Sequence, residues 1–373
     1  MKCILCCPLV PTEYEMKVPV ISNAGNRFLN NYLAEFCKDN ETEVMSYLGI
    51  PVHDEVKQKL LQDHSCKYDI SYFFKSGNIF AIAYRFHKEL EKKLEDNDYL
   101  ICYNPIYAWI FAPDVARKHG KKSILLLADY SPVKSYSGFA GKLYSRIQLR
   151  AIRQFDYVIG LSERTQKYVT DKQKFICMEG GIDTGTYNFF SAPKKRTMPE
   201  VTIMYSGTLE PVTGIRLLIK AFERIEQTNV RLLISGKGSL AQEIEELARK
   251  NSRICFLGCI QYEEYLNKLQ EADILVNPRD MRFPENENNF PSKIMEYLVT
   301  GKYIISTRFA GWENFKECVA FCGSTETDME FAIRDCLCDK SYENPEIFER
   351  NRLFAKKYLW NEQVKKIEQI VIK

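Results

Sequence analysis

No stretch of the chain approaches the roughly 18 consecutive apolar residues that a membrane-crossing helix needs. The apolar run behind Lys2 is broken by Pro8 and Pro11 and gives way at once to polar residues, too short for a secretory signal. The expected setting is cytosolic, or against a membrane surface. Histidine is scarce: the four, His53, His64, His87 and His119, fall in helical or loop segments rather than at strand ends, so none is expected to be a catalyst. Charge of one sign is lacking too. Fifty-two basic residues against 49 acidic leave a formal net charge of +3, too small a field to attract nucleic acid. There is no Gly-x-Ser-x-Gly elbow, no Walker loop, no metal-ligand cluster, no internal repeat and no low-complexity tract.

Cysteine, by contrast, is plentiful: thirteen are spread along the chain, mostly within apolar runs such as KCILCC at 2–7 and RICFL at 253–257. Buried free cysteine acts there as a small hydrophobe, and that usage suits a reducing compartment. Cys3 and Cys6 have C-x-x-C spacing, but three residues apart on a strand they face opposite sides and hold no common metal.

A length of 373 residues suggests two domains at roughly 150 residues each. Short apolar runs at 2–7, 43–47, 69–73, 99–103, 123–128, 157–160 and 175–178 alternate with amphipathic stretches at 26–37, 79–94, 108–119 and 141–155. The pattern breaks at a polar, Pro-punctuated segment, 184–200. It then restarts with strands at 201–205, 231–235, 254–257, 274–276, 303–306 and 319–321, and helices beginning near Gly214, Leu240, Tyr262 and Pro291. Repeated βα units imply an α/β fold with parallel sheets covered by helices on both faces. Two doubly wound Rossmann-like domains are expected, 1–190 and 191–359, facing a central cleft. Ligands in such sheets bind beyond the carboxyl ends of the strands.

The strongest local signal is DILVNPR at 273–279, a loop of about a dozen residues, then NFPSKIMEYLVTG at 289–301. Such a loop is uncommon unless functional. Pro291 suits the first position of a helix, and Ser292 and Lys293 would follow with free N–H groups at its positive end, a ready diphosphate site. Arg279 and Lys293 add full charges. Glu296 shares the helix face with Lys293; a solvated surface pair is the bland account of those two.

A second signal, RLLISGKGSLA at 231–241, fits the G-x-G-x-x-A dinucleotide fingerprint literally. That fingerprint needs an acidic residue at the tip of the next strand, and LGCIQ at 257–261 offers none. An oxidoreductase is therefore set aside, and Gly236 is kept in a loop approached by a nucleotide. The D-x-D at Asp96 and Asp98 precedes a strand instead of following one, which suits a solvated turn.

These elements in order resemble family-4 retaining glycosyltransferases, the group 1 transferases of GT-B fold, many of which build bacterial surface polysaccharides. MYSGTLEPVTGIRLLIKAF at 204–222 resembles the opening of that family's C-terminal domain. SGKG at 235–238, FLG at 256–258, EADILVNP at 271–278 and FPSKIMEY at 290–297 follow as they do there. FDYVI at 155–159 and EGGID at 179–183 fit the first half. The resemblance implies transfer of a sugar from a UDP- or GDP-sugar to a hydroxyl of a saccharide or polyprenyl-linked acceptor. The donor is a substrate, and no cofactor or metal is expected. Glu296 corresponds to the second glutamate of the family's E-x7-E motif, which holds the donor ribose. The first falls at Asn288, with Glu285 and Glu287 out of register, and Thr208 and Thr213 stand where many members have basic residues. Arg279 and Lys293 are the expected replacements. Gly207, Thr208, Gly236, Lys237, Ile260, Asn289, Phe290, Pro291 and Ser292 complete the expected donor site. Base recognition falls to backbone groups around Lys237 and Ile260. In the first half Asp129 occupies the family's sugar-facing place after the fifth strand, with a turn cap as its alternative. Gly25, ahead of the first long helix, resembles the glycine near the distal phosphate. The resemblance also assigns 360–373 to the first domain. A GT-B nucleotide-sugar epimerase and a non-catalytic sugar-nucleotide-binding protein are the alternatives, the latter because of Asn288.

Between Tyr130 and Phe155 there are five basic residues and no acids. Lys142, Arg146, Arg150 and Arg153 align along one helical face, with Phe139, Leu143, Ile147 and Ile152 as apolar surface nearby. Such a face suits contact with an anionic membrane on the acceptor side, with a core-packed helix bearing an ordinary solvated basic face as the alternative.

Overall fold

The computed structural model describes every residue except 16, 19–22, 76–77, 131–132, 134–135, 137, 179, 194–198, 288–291 and 372–373. The chain forms two compact units, Met1–Gly181 with Trp360–Lys373, and Ile182–Leu359. Each is a parallel sheet wrapped by helices, the α/β architecture expected of both halves.

In the first unit the elements run β1 (Lys2–Cys7), α1 (Asn23–Phe36), β2 (Glu41–Leu48), α2 (Asp54–Gln62), β3 (Ile70–Phe74), α3 (Ile79–Leu94), β4 (Tyr99–Tyr103) and α4 (Ala112–Lys118). They continue with β5 (Lys122–Leu127), α5 (Phe139–Ile152), β6 (Tyr157–Gly160) and β7 (Lys174–Cys177). The strand order is β3-β2-β1-β4-β5-β6-β7, so the winding reverses between β1 and β4. Strand alternation divides the core into two layers. Cys3, Leu5 and Cys7 face Leu29, Tyr32 and Phe36 of α1, whereas Ile4 and Cys6 face Ile82, Phe86 and Leu90 of α3. Cys3 and Cys6 therefore lie on opposite sides of the sheet.

The second unit runs α6 (Thr184–Phe189), β8 (Val201–Ser206), α7 (Ile215–Glu223), β9 (Val230–Ser235), α8 (Ala241–Lys250), β10 (Ile254–Phe256), α9 (Tyr262–Glu271), β11 (Ile274–Asn277) and α10 (Lys293–Val299). It closes with β12 (Tyr303–Thr307), β13 (Ala320–Cys322), α11 (Glu326–Asp339) and α12 (Glu346–Ala355). Its order, β10-β9-β8-β11-β12-β13, reverses between β8 and β11. The core packs Ile215, Leu218 and Phe222 of α7 and Met329 and Ile333 of α11 against Ile203, Leu232 and Ile305.

The boundary differs from the expected one after residue 190. The polar segment 184–200 opens with α6, capped by Asp183, whose Oδ1 accepts from the Thr186 N–H at 2.7 Å. Ile182 N–H donates to the Tyr358 carbonyl at 2.8 Å. Arg352 lies 4.2 Å over the Tyr187 ring and donates to the Tyr187 carbonyl at 2.9 Å. These contacts bind 182–190 to the second unit. The last helix, α13 (Trp360–Val371), packs on α1 in the first: Trp360 meets Phe28 edge-on at 4.9 Å. Among the described residues no helix is long and apolar enough to cross a membrane.

Candidate functional site

The loops after β8, β9 and β11 gather where the second sheet reverses, and Arg279 lies among them. Its Nη1 donates to the Asn286 side-chain oxygen at 2.8 Å, and its carbonyl accepts from the Thr307 hydroxyl at 2.8 Å. Asn286 is fully buried, and its amide donates to the Val212 and Asp280 carbonyls, each at 2.8 Å. One asparagine thus ties the β8 loop to the β11 loop and aims the arginine. Nothing in the sequence singles it out. Tyr205 is buried beneath; burial pushes its phenol up, while Arg279 nearby pulls it down. Tyr205 donates to the Thr208 carbonyl at 2.7 Å, and the Thr208 side chain is exposed. Asp280, in turn, holds Arg282 through both carboxylate oxygens, at 2.9 and 2.6 Å.

The space that a side chain at Gly236 or Gly238 would need is taken by neighbouring backbone. A Cβ on Gly236 would lie 1.8 Å from the Gly207 carbonyl oxygen, and one on Gly238 2.3 Å from that of Leu209. The Leu209 N–H donates to the Lys237 carbonyl at 2.9 Å, which engages one of the backbone groups expected to read the base. The side chain of Lys237 is exposed, and Ile260 is half-buried between β10 and α9. Glu210 joins the same loops by accepting from the Ser239 N–H at 2.7 Å and from the Ser239 hydroxyl. Those bonds hold its carboxyl below the ordinary range.

Helix α10 begins at Lys293, two residues later than Pro291, with Ser292 as its exposed, uncapped leader. Asn289, Phe290 and Pro291, like Asn288, lie outside the described residues. Lys293 is not aimed outward as a lone cation. Its Nζ is 3.0 Å from Glu296 Oε2 and 4.6 Å over the Tyr265 ring. Tyr265 donates to the same carboxylate oxygen at 2.5 Å. The pair is part of a three-residue cluster with α9 instead of a solvated ion pair.

In the first unit Asp129 is exposed at the end of β5. Its N–H and that of Ala128 donate to the Asn104 side-chain oxygen at 2.9 and 2.8 Å. Asn104, just past β4, has φ 55°, the left-handed region that asparagine tolerates better than most residues. Its carbonyl accepts from the Trp109 indole at 2.8 Å. Gly25 sits inside the first turn of α1 instead of ahead of it. Lys142, Arg146, Arg150 and Arg153 are exposed on and just past α5, as are Phe139, Leu143 and Ile147; Ile152 is fully buried in the core. That last residue drops out of the expected apolar surface.

Residues 200–339 match the family model described as glycosyl transferases group 1. No curated protein matches the chain. Among solved structures, Anabaena Alr3699/HepE in complex with UDP is similar over 100% of both chains, with TM-score 0.73 and 14% identity. Sucrose-phosphate synthase from Thermosynechococcus elongatus is similar over 100% of this chain and 98% of its own, with TM-score 0.71 and 13% identity. The lipopolysaccharide outer core galactosyltransferase WaaB matches over 100% and 99%, with TM-score 0.68 and 13% identity. The chain has a GT-B fold, and its residues 200–339 carry the group 1 glycosyl transferase pattern.

Proposed function

We propose that the protein is a glycosyltransferase moving a sugar from a UDP- or GDP-sugar to a hydroxyl acceptor, with retention of configuration and without a metal. The acceptor is a saccharide or polyprenyl-linked sugar of a cell-surface polysaccharide, met at the inner face of the membrane with α5 against anionic lipid. The observation that carries this reading is Arg279, held by buried Asn286 where the second sheet reverses, inside the segment that matches the group 1 model. Departure of the sugar leaves growing negative charge on a diphosphate, and a preorganised cation stabilises it more in the transition state than in the ground state. HepE structures with UDP and UDP-glucose support a uridine donor. Glu296 is assigned the donor ribose and Lys293, with Arg279, the charge of the leaving diphosphate; Ser292, with Asn289, Phe290 and Pro291, is assigned to the phosphates. Asp129 and Gly25 keep the roles that the resemblance implies.

The test is a thermal-shift series with UDP, GDP, ADP and CDP. A ligand at 100 times its Kd adds about 2.7 kcal/mol, and UDP or GDP is expected to stand out; no shift with any nucleotide refutes the reading. Arg279→Gln is then expected to lower turnover about 10²-fold, as loss of a charge-stabilising donor does. A near-normal rate in that variant removes Arg279 from the mechanism.

A further inference from the structure

Glu296 is not oriented by its own helix alone. Tyr265, 5% exposed on α9, places its hydroxyl 2.5 Å from Glu296 Oε2. Burial pushes that phenol well above its ordinary range, so it keeps its proton and donates. Lys293 Nζ reaches the same oxygen at 3.0 Å while lying 4.6 Å over the tyrosine ring. Two donors from two helices converge on one carboxylate oxygen. A helix-surface glutamate with only an i,i+3 lysine samples several rotamers, because such pairs hold weakly. A phenol fixed by core packing removes that freedom. A carboxylate has about four acceptor positions, and fixing one oxygen sets the directions of the others.

We propose that Tyr265 is a positioning residue for Glu296 and thereby sets the preference of the donor site for a ribonucleotide over its 2′-deoxy counterpart. The proposal rests on the assignment of Glu296 to the donor ribose. A ribose hydroxyl donating to a carboxylate is a charge-assisted bond, and its strength depends on the carboxylate already pointing at it. A tyrosine that served only to fill the core would have no influence on which sugar the nucleotide carries.

The experiment is calorimetric binding of UDP and 2′-deoxy-UDP to the full chain, or the guanosine pair where GDP gives the larger thermal shift. Wild type is expected to favour the ribonucleotide by about tenfold or more, the size of one hydrogen bond to a charged group. Tyr265→Phe, which keeps the ring and deletes the hydroxyl, is expected to cut that ratio to within about threefold. The 2′-deoxy affinity should stay unchanged and so report an intact fold. Should the Phe variant be insoluble, Tyr265→Leu takes its place. Glu296→Gln separates the two levels of the argument. If that variant keeps the full ratio, or wild type shows no ratio at all, the ribose assignment fails and the proposal falls with it. If Glu296→Gln collapses the ratio and Tyr265→Phe leaves it intact, the assignment stands and the role of Tyr265 is overturned.

Discussion

Gly236 approaches Gly207 so closely that a Cβ on it would lie 1.8 Å from the Gly207 carbonyl oxygen. Its φ of 144° is also one that L side chains rarely adopt. Both constraints come from neighbouring backbone, since the Gly207 N–H donates to Ser235 at 3.0 Å and locks the two loops together. Gly236→Ala is therefore expected to destabilise the second unit by about 2 kcal/mol or more, as overpacking against an unyielding partner does. Gly258 has φ 64° with nothing within 4 Å of a built Cβ, so Gly258→Ala should cost only about 1 kcal/mol. Urea unfolding of the two variants checks the ordering; equal losses would mean that the Gly207 contact relaxes.

Asn104 makes a different kind of link, satisfying two consecutive N–H groups, Ala128 and Asp129, with one side-chain oxygen. Asn104→Ala strands the half-buried Ala128 donor, leaves that of exposed Asp129 to water and puts alanine in a left-handed conformation, with an expected loss of about 2 kcal/mol. Asn104→Asp keeps the acceptor and the tolerance for positive φ, and should lose less than half as much. Thermal melts of both decide. An Asp variant as unstable as the Ala variant would show that the oxygen is not what matters.

The fold was largely legible because its central strands, such as β1, β5, β8 and β11, are buried apolar runs, and such runs show in a sequence whatever surrounds them. What escaped is where tertiary contacts override local character. The segment TGTYNF of α6 carries little helical signal; Asp183 capping it and Arg352 gripping Tyr187 make it a helix and move the boundary. The glycines after β9 look the same in a sequence whether a phosphate or another loop demands them. Arg279 was visible as a charge after a strand, but Asn286, which aims it, was one polar residue among several. The Lys293–Glu296 spacing was readable, whereas Tyr265, 28 residues earlier than Lys293 in the chain, joins them only through packing.

His87, half-buried on α3, has a buried Nε2 with no hydrogen-bond partner among the described residues. Burial lowers its pKa from the ordinary 6.5, with Glu91 opposing. On acidification the unfolded chain therefore takes up this proton first, beginning near pH 6.5. Stability falls as pH drops through that value and levels off below the folded pKa; well above pH 6.5 His87 adds no slope. Urea midpoints at pH 7.5 and 5.5 should differ more for wild type than for His87→Gln. Identical differences would show that other groups govern acid sensitivity in this window.

Helix α5 presents charge and apolar surface together. At 3.6 residues per turn, Lys142, Arg146, Arg150 and Arg153 share about 140° of its circumference with Phe139, Leu143 and Ile147. Those apolar residues are 80%, 45% and 39% exposed. Among the described residues none of the four cations has a carboxylate within ion-pair distance, in contrast with Arg216, which has Glu243. A soluble surface seldom leaves three large apolar side chains in line beside unmatched charge. Anionic lipid satisfies both, at about 1 kcal/mol per basic residue near the surface, with the apolar residues entering the headgroup region. The protein is expected to sediment with phosphatidylserine-containing vesicles at low salt, to be released as ionic strength rises, and to ignore purely zwitterionic vesicles. Changing the four basic residues to Gln should abolish sedimentation, and changing Phe139, Leu143 and Ile147 to Ser should weaken it at every salt concentration. Failure of the wild type to sediment, or equal sedimentation of the Gln variant, would leave α5 as a helix with an ordinary solvated face and remove the membrane from the account of the acceptor.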